Sequence, residues 1–304
     1  MGVVRACVET LPGTDGGGIP EAWRTVFRTG VKVSAIPSEC CPPWARNAVR
    51  HQIGKVSGMG RNAQRCRIGM EACGSAHHFA RELTQLGHDV RLIPPQHVKA
   101  YLRGQKNDLN DARAIAEAVR APGMRFAAIK TTAQQDLQSL VRLREGAVQS
   151  RTALVNRLRG LLGEYGIVVA RGVATLRRAL PEVLEAADNG LSDALRRWLN
   201  EWRQQLLGLD AHIDALTAEL TLAAEGDERV KRLQTVPGYG PIVASAFAGA
   251  MGDGSQYRCG RDASAAIGLV PRQHSSGSKN VLLGISKRGD RYLRCLLVHG
   301  RVRW

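Results

Sequence analysis

The stretch Lys106-Asn107-Asp108-Leu109-Asn110-Asp111-Ala112 sets two carboxylates three residues apart. Two readings are open. Asp108 can cap a helix N-terminus, with Asp111 reaching back to the cap and both acids favoured by the helix dipole. Alternatively, Asp108 and Asp111 at i and i+3 can present oxygens from nearly one helix face, and hard oxygen donors suit Mg²⁺. A third acid bears on the choice. Glu71 ends the apolar run "CRIGMEA", where a carboxylate is costly unless it has a ligand or partner. Phosphodiester chemistry by two metal ions needs such carboxylates to converge from separate elements. A second candidate lies far along the chain. Ser275 and Ser276 precede Gly277 in "GLVPRQHSSGSKNVLLGISKRGDRYLR", amid Arg272, Lys279, Lys287 and Arg288. A serine there can attack a phosphate while the cations stabilise the developing charge. Ser-Ser-Gly alone is a weak signal, because loops are rich in both residues.

These side chains need elements to position them. "CRIGMEA" reads as a buried strand. "GSAHHFARELTQLG" carries Phe79, Leu83 and Leu86 at helical spacing and stops at Gly87. "HDVRLI" is a second strand, ended by Pro94-Pro95, and "QHVKAYLRG" is a short helix. The helix opened by the two aspartates runs to about Ala121-Pro122. This β-α-β-α order predicts an α/β domain. A strand acid followed by a helix D-x-x-D is the arrangement of RNase H-like nucleases.

From Thr131 the pattern turns helical. One or two long helices close at Gly166, and "PEVLEAADNG" reads as a short helix stopped by Gly190. Leu195, Leu199, Trp202, Leu206, Leu209, Ile213, Leu216 and Leu220 then recur at alternating spacings of four and three. That is a heptad seam, the mark of a coiled coil, with the preceding long helix or a second chain as its partner. "VPGYGP" follows, between two helical stretches. It reads as the turn of a helix-hairpin-helix element, with Gly238 and Gly240 turning the backbone and offering N–H groups to a DNA phosphate, or as a simple Pro-Gly helix turn.

Composition narrows the partner. The chain has 304 residues and a net charge of +16. Residues 256–304 hold ten Lys/Arg against two Asp, or +8, including Arg291 and Arg294. Aromatic and small polar residues are interleaved with that charge, which favours contact with nucleic acid phosphates. No apolar run approaches the roughly 18 residues of a membrane span, and the N-terminus has no signal-peptide pattern. Seven cysteines without a C-x-x-C pair argue against zinc and for free thiols in a reducing cytosol. Residues 1–65 scatter Gly, Pro, Cys, Trp and Arg without period, apart from one strand-like run, "VVRACVE", and one helix-like run, "EAWRTVFRTG". They read as a loop-rich arm, disordered in part.

"MEACGSAHHFARELTQLGHDVRLIPPQHVKAYLRGQKNDLNDARAIAEA", "SRTALVNRLRGLLGEYGI", "VPGYGP" and "GRDASAAIGLVPRQHSSGSK…GISKRGDRYLR" together resemble the IS110 family of bacterial insertion-sequence transposases, the IS1111 subgroup most of all. The resemblance covers about Gly69 to Gly300. It implies a RuvC-like domain with a D-E-D-D metal tetrad, in which Glu71, Asp108 and Asp111 match the last three acids and bind Mg²⁺. It implies a C-terminal transposase domain whose nucleophilic serine falls on Ser276, or less well on Ser275. It further implies covalent serine-mediated DNA strand exchange in a composite site, dimers or tetramers joined through a coiled coil, and guidance by a bridge RNA encoded in the element. The expected architecture is α/β plus α. An incomplete RuvC/RNase H-like domain occupies 66–125, a helical linker and coiled coil 126–225, and a small, mainly helical C-terminal domain 226–304.

Two departures accompany the resemblance. The family's first aspartate lies in a G-I-D-x-x-K strand, which residues 1–65 lack. The acids before Glu71 are Glu9, Asp15, Glu21 and Glu39. Only Glu9 ends a strand-like run. The composition of 1–65 fits a shifted reading frame, and relatives are expected to continue beyond "HGRVRW". A chain with three of four acids is expected to be catalytically impaired. A non-catalytic nucleic-acid binder and a nuclease acting through metal-bound water are the alternative readings.

Overall fold

A computed structural model describes residues 6–10, 65–105 and 107–302. The chain divides into two compact units at Thr131/Thr132.

In the first unit, β1 (Ala6–Thr10), β2 (Cys66–Glu71) and β3 (Asp89–Ile93) form one sheet in that order. β2 and β3 run parallel, with Glu71 opposite Ile93, and are joined through helix α1 (Ala76–Gln85). Parallel neighbours require such a crossover. β1 pairs antiparallel to β2, with Glu9 opposite Arg67. α2 (Pro95–Lys99) and α3 (Asp108–Arg120) follow β3.

Strand alternation divides the work of the sheet. Ile68, Met70, Val90 and Leu92 bury one face against Ala76, Ala80 and Leu83 of α1. Gly69 and Ile93 lie on the other face, where Ile115, Ala118 and Val119 of α3 complete a second core. A Cβ on Gly69 would stand 3.0 Å from the Val119 Cβ and 3.2 Å from Ile115 Cγ2, so glycine lets α3 lie directly on β2. At the other end of this face Asp89 accepts hydrogen bonds from Arg67 Nε (3.1 Å) and Arg91 Nε (2.9 Å).

The second unit is built on two long helices, α4 (Thr132–Glu164) and α6 (Asp193–Gly226). Between them lies α5 (Val173–Glu185), which carries Pro181 in its interior. The short helix expected from Pro181 therefore begins eight residues earlier, at Val173. Burying Leu176 and Leu180 completely outweighs the one backbone bond that proline forgoes.

α4 and α6 run antiparallel. Arg144 Nε donates to Thr217 Oγ1 at 2.8 Å, and farther along α4 Arg151 donates to Asp210 Oδ1 at 2.9 Å. The 195–220 seam faces α4: Leu199, Leu206 and Leu220 are fully buried, Leu195, Ile213 and Leu216 nearly so, and Trp202 and Leu209 partly. The seam's partner is thus the preceding helix of the same chain. Ser192 caps α6 by accepting the Leu195 N–H.

α7 (Glu228–Gln234) and α8 (Pro241–Met251) flank the Val236–Gly240 turn. Gln134 of α4 donates to the Gly249 carbonyl of α8 at 3.2 Å. α9 (Gly260–Ile267), the two-stranded sheet β4 (Pro271–Gln273) and β5 (Leu282–Ile285), and α10 (Arg291–Val302) complete the unit. No helix among the described residues is long and apolar enough to cross a membrane. Cys259 and Cys295 are exposed free thiols.

Candidate active site: an acidic face and a serine hairpin

α3 begins one residue earlier than the acidic-cap reading has it. Asn107 is the N-cap: its backbone is extended (φ −153°, ψ 162°) and its side chain accepts the Asn110 N–H at 2.8 Å. Asn and Asp cap about equally well, and the neutral side chain takes the role here. Asp108 and Asp111 are thereby displaced into the first turn, where the helix dipole favours negative charge. Their environments differ. Asp108 is exposed, whereas Asp111 is only 6% exposed.

Glu71 lies two residues beyond Gly69 on β2, so it shares the sheet face covered by α3. The fold therefore brings all three acids to one side of one sheet. Among the described residues, however, no group of three or more His, Cys, Asp or Glu side chains could hold a metal ion. The donor chemistry of Glu71, Asp108 and Asp111 suits Mg²⁺, but the described arrangement does not close around one. The Glu9 backbone is paired with Arg67, four residues and roughly 13 Å along β2 from Glu71 at about 3.3 Å per residue. Asp15, Glu21 and Glu39 lie outside the described residues.

On α1, which covers the opposite face of the sheet, His77 accepts the Lys130 N–H at 3.3 Å. Burial, with the charges of Lys130 and Arg81, pushes the His77 imidazole down to about 4. His88 is 4% exposed and accepts the Cys66 N–H on Nδ1. Burial lowers its pKa too.

The serine stretch is a β-hairpin rather than a plain loop. Ser276 and Lys279 exchange both backbone bonds, at 3.1 and 3.0 Å, around Gly277 and Ser278. Gly277 takes φ 55°, as the first position of a Gly-X two-residue hairpin turn requires. The signal was in the sequence: a Gly-Ser pair flanked by residues able to extend. The hairpin separates the two serines. The Ser275 hydroxyl donates to Asn280 Oδ1 at 2.8 Å and accepts the Val281 N–H at 3.2 Å. Ser276 Oγ has no hydrogen bond among the described residues.

Backbone contacts anchor the hairpin base. Ser286 N–H donates to the Val270 carbonyl and Lys287 N–H to the Gly268 carbonyl. Gly268 (φ 79°) and Gly289 (φ 74°) sit where a Cβ would collide with the carbonyls of Arg288 and Ala266. Arg294 donates from one guanidinium nitrogen to the Ile267 and Arg288 carbonyls, at 2.7 and 2.8 Å, which gives it a structural task at this base. Arg142 of α4 pairs with Asp290 and lies over the Tyr292 ring. Arg272, Lys279, Lys287, Arg288 and Arg291 are all exposed. From 263 to 289 the chain contains no acid.

Gly238 (φ 87°) makes the turn between α7 and α8, and Gly240 caps α8 without a side-chain bond. The Gly238 carbonyl faces Gly300 of α10, where a Cβ would stand 2.5 Å away.

Residues 45–167 match the DEDD transposase model of IS110 elements, described as "Transposase". Residues 230–303 match the model described as "Transposase IS116/IS110/IS902 family". The chain is 48% identical over 236 residues to a probable family 20 transposase of Pseudomonas aeruginosa, covering 77% of this chain and 70% of that protein. It is 48% identical over 231 residues to the transposase for IS1111A of Coxiella burnetii, covering 76% and 64%. It is 42% identical over 235 residues to the transposase for IS1328 of Yersinia enterocolitica, covering 77% and 69%. The chain spans about two thirds of the length of these relatives. With two family models matched in order and relatives this similar, the chain belongs to the IS110 family of transposases.

Proposed function

We propose that this chain derives from a DNA transposase that cleaves and rejoins strands through Ser276. The observation that carries the reading is the hairpin tip. It sets Ser276 on an exposed turn, beside its cross-strand partner Lys279, within an acid-free basic stretch. In the reaction, Ser276 Oγ forms a bond to a DNA phosphorus as the bond from that phosphorus to a sugar oxygen breaks. The serine proton ends on the leaving oxygen. One phosphate diester replaces another, so the step needs no external energy, and attack by a DNA hydroxyl reverses it on a new strand. Lys279 and Arg272 balance charge on the phosphate. Lys287, Arg288 and Arg291, with the N–H groups at Gly238 and Gly240 in a helix-hairpin-helix role, hold the DNA backbone.

Glu71, Asp108 and Asp111 would hold Mg²⁺, which supplies charge neutralisation at phosphate when bound. As the described geometry does not close around an ion, no step is routed through it, and strand exchange by this chain is expected to be slow. A bridge RNA as guide belongs to the same reading, as does assembly into dimers or tetramers. Because α4 fills the 195–220 seam, copies would meet on the outer faces of the α4–α6 pair, where Leu207 and Leu222 are exposed. The test is incubation of the chain with insertion-sequence end DNA, the element's RNA and Mg²⁺. A covalent protein–DNA adduct that disappears in Ser276→Ala supports the reading, and cleavage without adduct in both proteins opposes it.

The absence of a three-acid ligand group among the described residues favours a second reading, a nucleic-acid binder without catalysis. It predicts salt-sensitive DNA binding with neither adduct nor cleavage.

A further inference from the structure

We propose that Ser275 is the positioning residue of the hairpin, acting through a cross-strand clasp with Gln273 and Asn280 that holds the turn carrying Ser276. The inference rests on the reading of Ser276 as nucleophile. Both hairpin strands are exposed along their length, so no core sets their register. A two-stranded hairpin of this kind is marginal in water without other support. The register also shifts between Pro271 and Gln273, so the base does not dictate the tip.

The ladder at the tip is completed by a side chain. His274 N–H donates to the Val281 carbonyl at 3.0 Å. The Val281 N–H does not return to the His274 carbonyl; it donates to Ser275 Oγ at 3.2 Å. Gln273 Nε2 donates to the same oxygen at 3.1 Å, and the Ser275 hydroxyl donates to Asn280 Oδ1 at 2.8 Å. A hydroxyl has one proton and two acceptor sites, so Ser275 is fully committed. That occupation leaves it a poor nucleophile and a good strut.

Alternation gives the clasp its direction. Gln273, Ser275 and Asn280 share one face of the hairpin, while His274, Ser276 and Lys279 occupy the other. The clasp closes one face and leaves the Ser276 face clear. Loss of the Ser275 hydroxyl would free the Val281 N–H and let the tip drift, and misplacing a nucleophile by about 1 Å costs on the order of a hundredfold in rate.

The experiment compares the full-length wild type with Ser275→Ala, Ser275→Thr and Ser276→Ala. Adduct formation on insertion-sequence end DNA is measured together with DNA affinity and amide exchange at Val281. The expected result for Ser275→Ala is faster exchange at Val281, adduct formation slowed roughly ten- to hundredfold, and unchanged DNA affinity. Ser275→Thr, which keeps the hydroxyl, restores the rate. A Ser275→Ala chain as fast as wild type overturns the inference alone, as does a threonine variant as slow as the alanine one. A wild type that forms no adduct, or a Ser276→Ala chain that does, removes the nucleophile reading and the inference with it.

Discussion

Gly69 of β2 and Val119 of α3 are in such close contact that a single added carbon would stand 3.0 Å from the Val119 Cβ. This contact presses α3, with Asp108 and Asp111 in its first turn, onto the sheet face that also carries Glu71. Gly69→Ala should therefore destabilise the first unit by about 1–3 kcal/mol, the usual cost of overpacking. Chemical denaturation followed by circular dichroism checks it. No change in the midpoint would mean that α3 is not seated on β2 as described.

The α4–α6 pair gives a contrast between buried and exposed leucines. Leu199 is fully buried and Leu222 is 68% exposed. Leu199→Ala should cost about 2–5 kcal/mol, and Leu222→Ala less than about 0.5 kcal/mol. Because the seam is filled within one chain, the Leu199→Ala loss should be the same at low and high protein concentration. A loss that grows on dilution would place the seam between chains instead.

Acid should weaken the first unit through its histidines. His77 and His88 are held neutral in the fold, with pKa values below the ordinary 6.5 and His77 at about 4. Protonation therefore favours the unfolded chain. The stabilisation is complete above pH 6.5 and is lost as pH falls from 6.5 towards about 4. Replacing His77 by Gln, which can still accept the Lys130 N–H, should flatten that slope. Urea titrations at successive pH values measure it, and an equally steep slope in the variant would count against the assignment.

The basic residues of the C-terminal end should separate into two kinds. Lys279→Ala and Arg272→Ala should weaken DNA binding and each reduce the salt dependence by about one phosphate contact, with little effect on folding. Arg294→Ala should instead lower the melting temperature, because its guanidinium holds the Ile267 and Arg288 carbonyls together. Salt-titrated binding and thermal melts distinguish them. An Arg294 variant that melts normally but loses a salt-slope unit would reverse this division.

Much of this organisation was legible in the chain because it rests on period and punctuation. The strand ending at Glu71, the helix stops at Gly87 and Gly166, and the unbroken helix through Leu195–Leu220 all follow from apolar spacing and glycine. What was not legible depended on competition or on partners. Asn107 and Asp108 are both good caps, and only the backbone shows that Asn107 takes the role. Pro181 reads as a helix start until Leu176 and Leu180 are seen to bury the turn before it. A heptad seam states that a partner exists, while the Arg144–Thr217 and Arg151–Asp210 bonds identify it as α4. The Gly277-Ser278 turn was available to a reader looking for a hairpin. The task of Ser275 was not, because it depends on the side chain of Asn280 across the ladder.

The central claim is that Ser276 becomes joined to DNA. Its most direct test is peptide mapping by mass spectrometry, after the full chain has been incubated with insertion-sequence end DNA, the element's RNA and Mg²⁺ and the DNA digested to a nucleotide remnant. The account predicts a remnant on Ser276, in the peptide that also contains an unmodified Ser275. A remnant on Ser275, or DNA cut with no modified serine, would contradict it.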